Sequence, residues 1–180
     1  LSLTGCGQAG PLRDVPGHDL NYLATAGMTS LCGAPGGPPR HGIGAPVADL
    51  GGAVYGLSAV LAALFQRERT GAGQYLDLSM TDCVAHMLNA RKGVFEANGI
   101  EDLEGQRAAA LSRPAYGVFD VADGAVTVAA LELHFWRALV ALLGLDDWAG
   151  EEFHPTPARV ARCAEINAAI AARLAPMTRE

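Results

Sequence analysis

With 180 residues and 50% hydrophobic content, the chain can bury one large core or two small ones. Its net charge of −6, without any run of Lys or Arg, excludes a nucleic-acid surface. The four cysteines (Cys6, Cys32, Cys83 and Cys163) stand far apart without a Cys-x-x-Cys pair, which excludes a disulfide frame and a zinc site. They fit reduced thiols in a cytoplasmic protein. No signal peptide is visible, and the apolar run 53–65 is shorter than the roughly 20 residues a bilayer span needs, so no membrane partner is expected.

Residues 1–4 read as a short strand that enters a Gly- and Pro-rich loop over 5–17. Asp19 has the chemistry of an N-cap for a short helix to about residue 27, with His18 on the loop just before it. Residues 31–45 carry three prolines and five glycines and predict an irregular loop. From 46 to 69 the pattern predicts one helix: Pro46 in the first turn, Val54, Leu57, Leu61 and Leu64 at three- and four-residue spacing, and a Thr-Gly stop. It is apolar around most of its circumference, so burial on several sides is expected. Asp49 lies in its first turn, where unpaired N–H groups and the helix dipole favour a negative charge. Gly51 and Gly52 follow at once. Two glycines inside a helix cost about 1 kcal/mol each relative to alanine, a cost accepted where a ligand or another backbone comes close.

Beyond a turn at 70–74, residues 75–80 alternate like a strand, and Thr81-Asp82 predict the cap of a helix to about residue 97. The polar, aperiodic stretch 98–113 reads as a linker. Residues 116–121 and 125–130 form a predicted hairpin around Ala122-Asp123-Gly124. Glu132 then opens a helix with Phe135, Leu139, Leu142 and Leu143 inward, and His134 toward solvent or a neighbouring domain. A last amphipathic helix is predicted from about 157 to 174, with Val160, Ala164, Ile166 and Ile170 on its apolar face. The mixture defines an α/β chain. No internal repeat, Gly-rich phosphate loop, Ser-His-Asp ordering or metal-ligand cluster is present, and neither metal nor cofactor is expected. Singly, His18, Asp49 and Glu132 are each ordinary helix-start residues.

Together, Gly-His-Asp-Leu-Asn-Tyr (17–22), Val-Ala-Asp-Leu-Gly-Gly (47–52), Ala-Leu-Glu-Leu-His-Phe-Trp (130–136) and the run 66–74 resemble the family III coenzyme A transferases (CaiB/BaiF), and within them the α-methylacyl-CoA racemases. The likeness covers essentially the whole chain in motif order. Members of that family are roughly twice as long, so the resemblance implies an internal fragment. In keeping with this, the chain starts without Met and both ends read as cut. Residues 1–80 would then be the rear of a Rossmann-like large domain, 81–115 a linker helix and loop, and 116–180 an incomplete small α+β domain. Family members form interlocked homodimers, with the active site between the large domain of one subunit and the small domain of the other. The matching positions imply His18 and Asp49 as an acid/base pair, Glu132 as the carboxylate supporting the histidine, and Tyr116 as a substrate-lining residue. No residue here inherits the family's CoA-binding role. The chain departs from the racemases in lacking an asparagine shortly before Asp49 and in carrying Leu133 where a proline commonly follows the glutamate.

Inverting the carbon beside a thioester carbonyl takes two groups on opposite sides, one basic and one acidic. A histidine serves without special tuning, whereas an aspartate needs desolvation, expected here from Gly51, Gly52 and the apolar Val47 and Leu50. The intermediate is an enolate of the acyl-CoA substrate, and the free N–H groups at the Asp49 helix start are the expected donors to its oxygen. Two alternatives stay open. In CoA transfer between carboxylic acids Asp49 is a nucleophile that passes through an anhydride and an aspartyl-CoA thioester, and His18 has no part. In the other, a truncated piece folds and does no chemistry.

Overall fold

The computed structural model describes residues 1–33, 36–41, 44–111 and 113–179. Ala34, Pro35, Gly42 and Ile43 of the predicted loop, Ser112 of the predicted linker and the terminal Glu180 lie outside the described residues. The chain divides into two compact units, Leu1–Ala108 and Ala109–Glu180.

In the first unit, β1 (Ser2–Thr4) and β2 (Asp77–Ser79) pair in parallel, with Ser2 opposite Asp77 and Thr4 opposite Ser79. A parallel pair needs a long crossover. Here it contains α1 (Asp19–Thr25) and the 24-residue α2 (Val47–Thr70). α2 is capped by Pro46 and ends at Gly71, whose φ of 73° is left-handed and whose N–H donates to the Arg67 carbonyl at 2.8 Å. α3 (Met80–Met87) follows β2 without a loop; Ser79 Oγ accepts from the Asp82 N–H at 3.1 Å, so the cap is Ser79 and not Thr81 or Asp82. Tyr22, Leu23, Ala48 and Val84 form the buried core where α1, α2 and α3 meet.

α2 presents two contrasting faces. Ala48, Gly51, Gly52 and Gly56 are its buried residues. A Cβ on Gly51 would fall 2.5 Å from Met87 Cε, and one on Gly52 would fall 2.7 Å from Met80 Cγ and 3.2 Å from Leu3 Cδ1. The close approach that these glycines permit within this chain is therefore to α3 and β1. On another face Leu50, Val54, Leu57, Leu61 and Phe65 are each more than half exposed. α2 also runs further than the apolar run suggested; it is long and apolar enough to cross a membrane by length and composition. Its small-residue face is nonetheless seated within the first unit.

The single helix expected from 81 to 97 is two, α3 and α4 (Asn89–Ala97), joined at Leu88, whose N–H is shared between the Val84 and Ala85 carbonyls at 3.1 and 3.2 Å. Gly99, at φ 63°, ends α4, with Ile100 N–H returning to the Phe95 carbonyl and Gly99 N–H to that of Glu96. The predicted linker then forms α5 (Leu103–Leu111), capped by Asp102 Oδ1 on the Gly105 N–H at 2.8 Å. Arg107 of α5 is buried and donates to the carbonyls of Ser30 (2.6 Å) and Gly37 (2.5 Å), so most of this segment belongs to the first unit.

In the second unit, β3 (Tyr116–Val121) and β4 (Gly124–Ala129) make the predicted hairpin about Ala122-Asp123, with Tyr116 opposite Ala129. Its core joins Phe119 and Val121 to Trp136, Val140 and Leu143 of α6 (Leu133–Leu143) and to Ile166, Ile170 and Leu174. The inward stripe of α6 is 136, 140 and 143, so Phe135 and Leu142 lie exposed, contrary to expectation. The predicted last helix breaks at Arg162 (φ −116°, ψ 22°) into α7 (Thr156–Ala161) and α8 (Cys163–Leu174). That break leaves Val160 exposed and buries Arg159 instead.

Packing at the two glycines separates them. Gly52→Ala destabilises the chain by about 1–3 kcal/mol in urea unfolding, because Met80 Cγ lies near its backbone and cannot swing away. Gly51→Ala is neutral or slightly stabilising, since Met87 Cε is the free end of a flexible side chain and the helix gains propensity. The bare α2 face has a separate consequence. The isolated 180-residue chain should associate in light scattering, and the double variant Leu57→Lys/Leu61→Lys should restore a monodisperse species.

Candidate functional site

His18 is the N-cap of α1, with φ −126° and ψ 175°. Its backbone N–H donates to Asn21 Oδ1 at 3.1 Å, while the Asn21 N–H donates back to the His18 carbonyl at 2.8 Å. The Tyr22 hydroxyl donates to the Gly17 carbonyl at 2.5 Å, and its ring leaves no room for a Cβ at Gly5 or Gly17. Gly17-His18 is therefore held on both sides. Asp19 does not cap its own helix, as the sequence predicted. It is the first helical residue, and because Asn21 satisfies the His18 N–H, its carboxylate is free to reach α2. There Asp19 Oδ1 accepts from the Ala48 N–H at 2.6 Å and the Asp49 N–H at 3.2 Å.

The structure thereby brings His18 and Asp49 to one corner of the first unit, one residue and one hydrogen bond apart, both exposed. It also corrects the expected oxyanion donors. The Ala48 and Asp49 N–H groups are occupied by a carboxylate, and the Leu50 N–H donates to the Pro46 carbonyl at 2.9 Å. The bond from Asp19 to the head of α2 is the contact at this corner that the sequence did not reveal. The signal was Asn21, three residues after His18 as in a capping box, which marks His18 as the cap and frees Asp19.

Glu132 and Tyr116 belong to the second unit. Glu132 is the exposed, extended N-cap of α6 (φ −74°, ψ 150°). The carbonyl just before it, on Leu131, accepts from Arg159 Nη2 at 2.9 Å. The same buried guanidinium reaches Thr156 Oγ1 at 3.1 Å and the Ala130 carbonyl at 3.5 Å, and lies 5.3 Å from the Trp136 ring. Burial pushes Arg159 below the usual arginine range. Tyr116 opens β3 directly after Ala115, a fully buried residue at φ 55°, where a side chain costs energy. Asn167 holds that turn: Oδ1 accepts from the Ala115 N–H at 2.9 Å and Nδ2 donates to the Arg113 carbonyl at 3.0 Å. A cleft of about 690 Å³ in the first unit, lined by His86, Arg91, Phe95 and Gln106 among others, includes neither His18 nor Asp49. Among the described residues no group of three or more His, Cys, Asp and Glu is placed to hold a metal.

Fold and site together define an α/β protein in which the neighbour of a loop histidine, Asp19, is bonded to the backbone of a helix-start aspartate, residue types suited to proton transfer or to carboxylate nucleophilic chemistry. The profile of CoA-transferase family III matches residues 1–180, and the chain belongs to that family. Its curated relatives include the succinate–glutarate CoA-transferase of Agrobacterium fabrum, 32% identical over 92% of this chain and 41% of that protein. The α-methylacyl-CoA racemase of Homo sapiens is 32% identical over 81% of this chain and 41% of that protein. Among solved structures, a CaiB/BaiF family protein from Brucella suis superposes with a TM-score of 0.74 at 29% identity, covering 98% of this chain and 47% of that one. The chain thus spans about two fifths of the length of these curated relatives.

Arg159 yields a test of how the Glu132 segment is held. Arg159→Ala strips the Leu131 and Ala130 carbonyls of their buried donor and leaves a void beside Trp136. The expected loss is about 2–4 kcal/mol, read from chemical denaturation. A variant as stable as the parent would contradict this account.

Proposed function

We propose that the full-length protein containing this chain is an acyl-CoA racemase or epimerase that inverts the α-carbon of 2-methylacyl-CoA thioesters. The observation that supports this is the bond from Asp19, the neighbour of His18, to the Ala48 and Asp49 amides at the head of the Asp49 helix. One of the two takes the α-proton, leaving the electron pair delocalised onto the thioester oxygen as an enolate. The other delivers a proton to the opposite face, so the carbon is inverted and no atom is gained or lost. Glu132 supports the His18 imidazole, and Tyr116 lines the acyl pocket. Gly51 and Gly52 contribute by letting α2 sit close on α3. The coenzyme A thioester is substrate, and no further cofactor takes part. The protein works as a cytoplasmic homodimer whose active site joins the first unit of one subunit to the second unit of the other. With only part of the family's length present, the 180-residue chain alone neither binds acyl-CoA tightly nor turns over. Its first unit is a folded body into which α2 is keyed by small residues, which supports a soluble protein.

A second reading, CoA transfer between carboxylic acids, is favoured by the transferases among the relatives. In it Asp49 attacks the acyl carbonyl of the donor thioester, releasing CoA thiolate and leaving an aspartyl anhydride. CoA thiolate then attacks the Asp49 carbonyl of the anhydride, expelling the donor carboxylate and leaving an aspartyl-CoA thioester. The acceptor carboxylate attacks that thioester and releases CoA thiolate, which attacks the acyl carbon of the new anhydride to give the product thioester and free Asp49. Heavy water separates the two readings. The racemase replaces the α-hydrogen with deuterium during inversion. His18→Ala and Asp49→Ala each abolish inversion, and each retains exchange for the opposite enantiomer. A silent His18→Ala variant, with an acyl or CoA adduct on Asp49 in mass spectra, would select the transferase.

A further inference from the structure

The proton transfer proposed above gives Asp19 nothing to do, yet its carboxylate makes the bond that joins the two halves of the reacting pair. We infer that Asp19 is a positioning residue that fixes the placement of Asp49 relative to His18. The inference rests on the reading that His18 and Asp49 are the reacting groups.

Between α1 and α2 the only regular element among the described residues is the three-residue 3-10 turn Thr29–Leu31. A Gly- and Pro-rich connection of this kind sets no geometry of its own. α1 has seven residues, too few to hold its own end rigidly without outside contacts. Arg107 pins the connection at Ser30 and Gly37, well beyond His18, and the apolar cluster of Tyr22, Leu23, Ala48 and Val84 lies beneath both helices. Those contacts hold the helices together. They leave open how the first turn of α2 is aimed.

Asp19 closes that gap. It is covalently next to His18, and its Oδ1 receives the amide N–H of Asp49 itself and that of Ala48 before it. An anionic acceptor on two unpaired donors at the positive end of a 24-residue helix is a strong, directional anchor. Few covalent bonds and one hydrogen bond therefore separate the two backbones that carry the reacting groups. A shift of about 1 Å between such groups costs about 100-fold in rate. The anchor needs an acceptor oxygen of the right reach. A carboxamide offers an acceptor oxygen at the same reach, so it keeps the placement with a weaker bond, whereas a longer side chain loses the placement.

The full-length protein with Asp19→Ala, Asp19→Asn or Asp19→Glu provides the test, with 2-methylacyl-CoA as probe. Asp19→Ala should lower kcat about 30–100-fold with KM within about threefold, because binding is spared and alignment is lost. Asp19→Asn should stay within about fivefold of the parent, and Asp19→Glu, one methylene too long, should resemble Asp19→Ala at an unchanged melting temperature. In heavy water the ratio of α-hydrogen exchange to inversion should rise at least about tenfold in Asp19→Ala, since one base still works alone. A general loss of folding would not change that ratio. An Asp19→Ala variant within about threefold of the parent would overturn the inference. So would Asp19→Asn being as impaired as Asp19→Ala at unchanged melting, which would make the carboxylate a reacting group. If Asp19→Ala fails to fold, Asp19→Glu decides, and parental activity there refutes the positioning role. If the parent transfers CoA instead, the same variants are read by the rate of adduct formation on Asp49. A parent inactive in both reactions removes the proposed function and this inference with it, whereas an active parent with Asp19→Ala within about threefold of it removes the inference only.

Discussion

The bond from the Asp19 carboxylate to the Ala48 and Asp49 amides is the constraint around which the first unit is arranged. A helix start leaves backbone donors without partners, and a buried or half-buried start must find acceptors for them. α2 begins with Pro46-Val47-Ala48, which carry no side-chain acceptor, so its cap has to come from elsewhere in the chain. It comes from a residue 29 positions earlier. Local capping would have left α1 free to drift. Borrowing the cap ties the position of one helix to the start of another, and the two exposed residues beside the tie inherit its rigidity.

The rest of α2 follows from that anchored start. Ala48, Gly51, Gly52 and Gly56 recur on one face, where they let α3 and β1 come close. Each glycine costs the helix propensity, and the close packing of Met80, Met87 and Leu3 offsets it. The exposed leucines on another face do not contradict a globular protein. They mark surface that the 180 residues do not cover, in a chain spanning about two fifths of its curated relatives' length.

Strong local signals were legible in the sequence. The hairpin came from Ala-Asp-Gly between two β-rich runs, α2 from its start proline and Thr-Gly stop, and the family from four motifs in order. What escaped were features decided by contacts distant in sequence. Asp19 was read as a local cap because nothing in its neighbourhood shows that Ala48 lacks one. Residues 98–113 looked like a linker because α5 is held by Arg107 reaching back to Ser30 and Gly37, not by an apolar stripe of its own. The inward face of α6 runs through Trp136 and not Phe135, because the Trp136 ring packs near the buried Arg159 guanidinium, a contact distant in sequence. A buried arginine is a poor guess from any sequence, since its charge argues for solvent until its acceptors are known.

The two units solve one positioning problem with opposite charges. Asp49 and Glu132, the two carboxylates that the family motifs single out, both stand exposed at helix starts, and their side chains bond no other group among the described residues. In each case the adjoining backbone is gripped by a charged side chain distant in sequence: amides by the Asp19 carboxylate, carbonyls by the Arg159 guanidinium. Each grip matches polarity, an acceptor for N–H groups and a donor for C=O groups, so neither leaves its backbone partner unsatisfied. A candidate reacting group held by its backbone keeps its carboxylate available to substrate. One held by its side chain would spend the oxygens that the chemistry needs. Fastening the main chain and leaving the side chain free is thus the arrangement expected where a carboxylate must be placed accurately and still react.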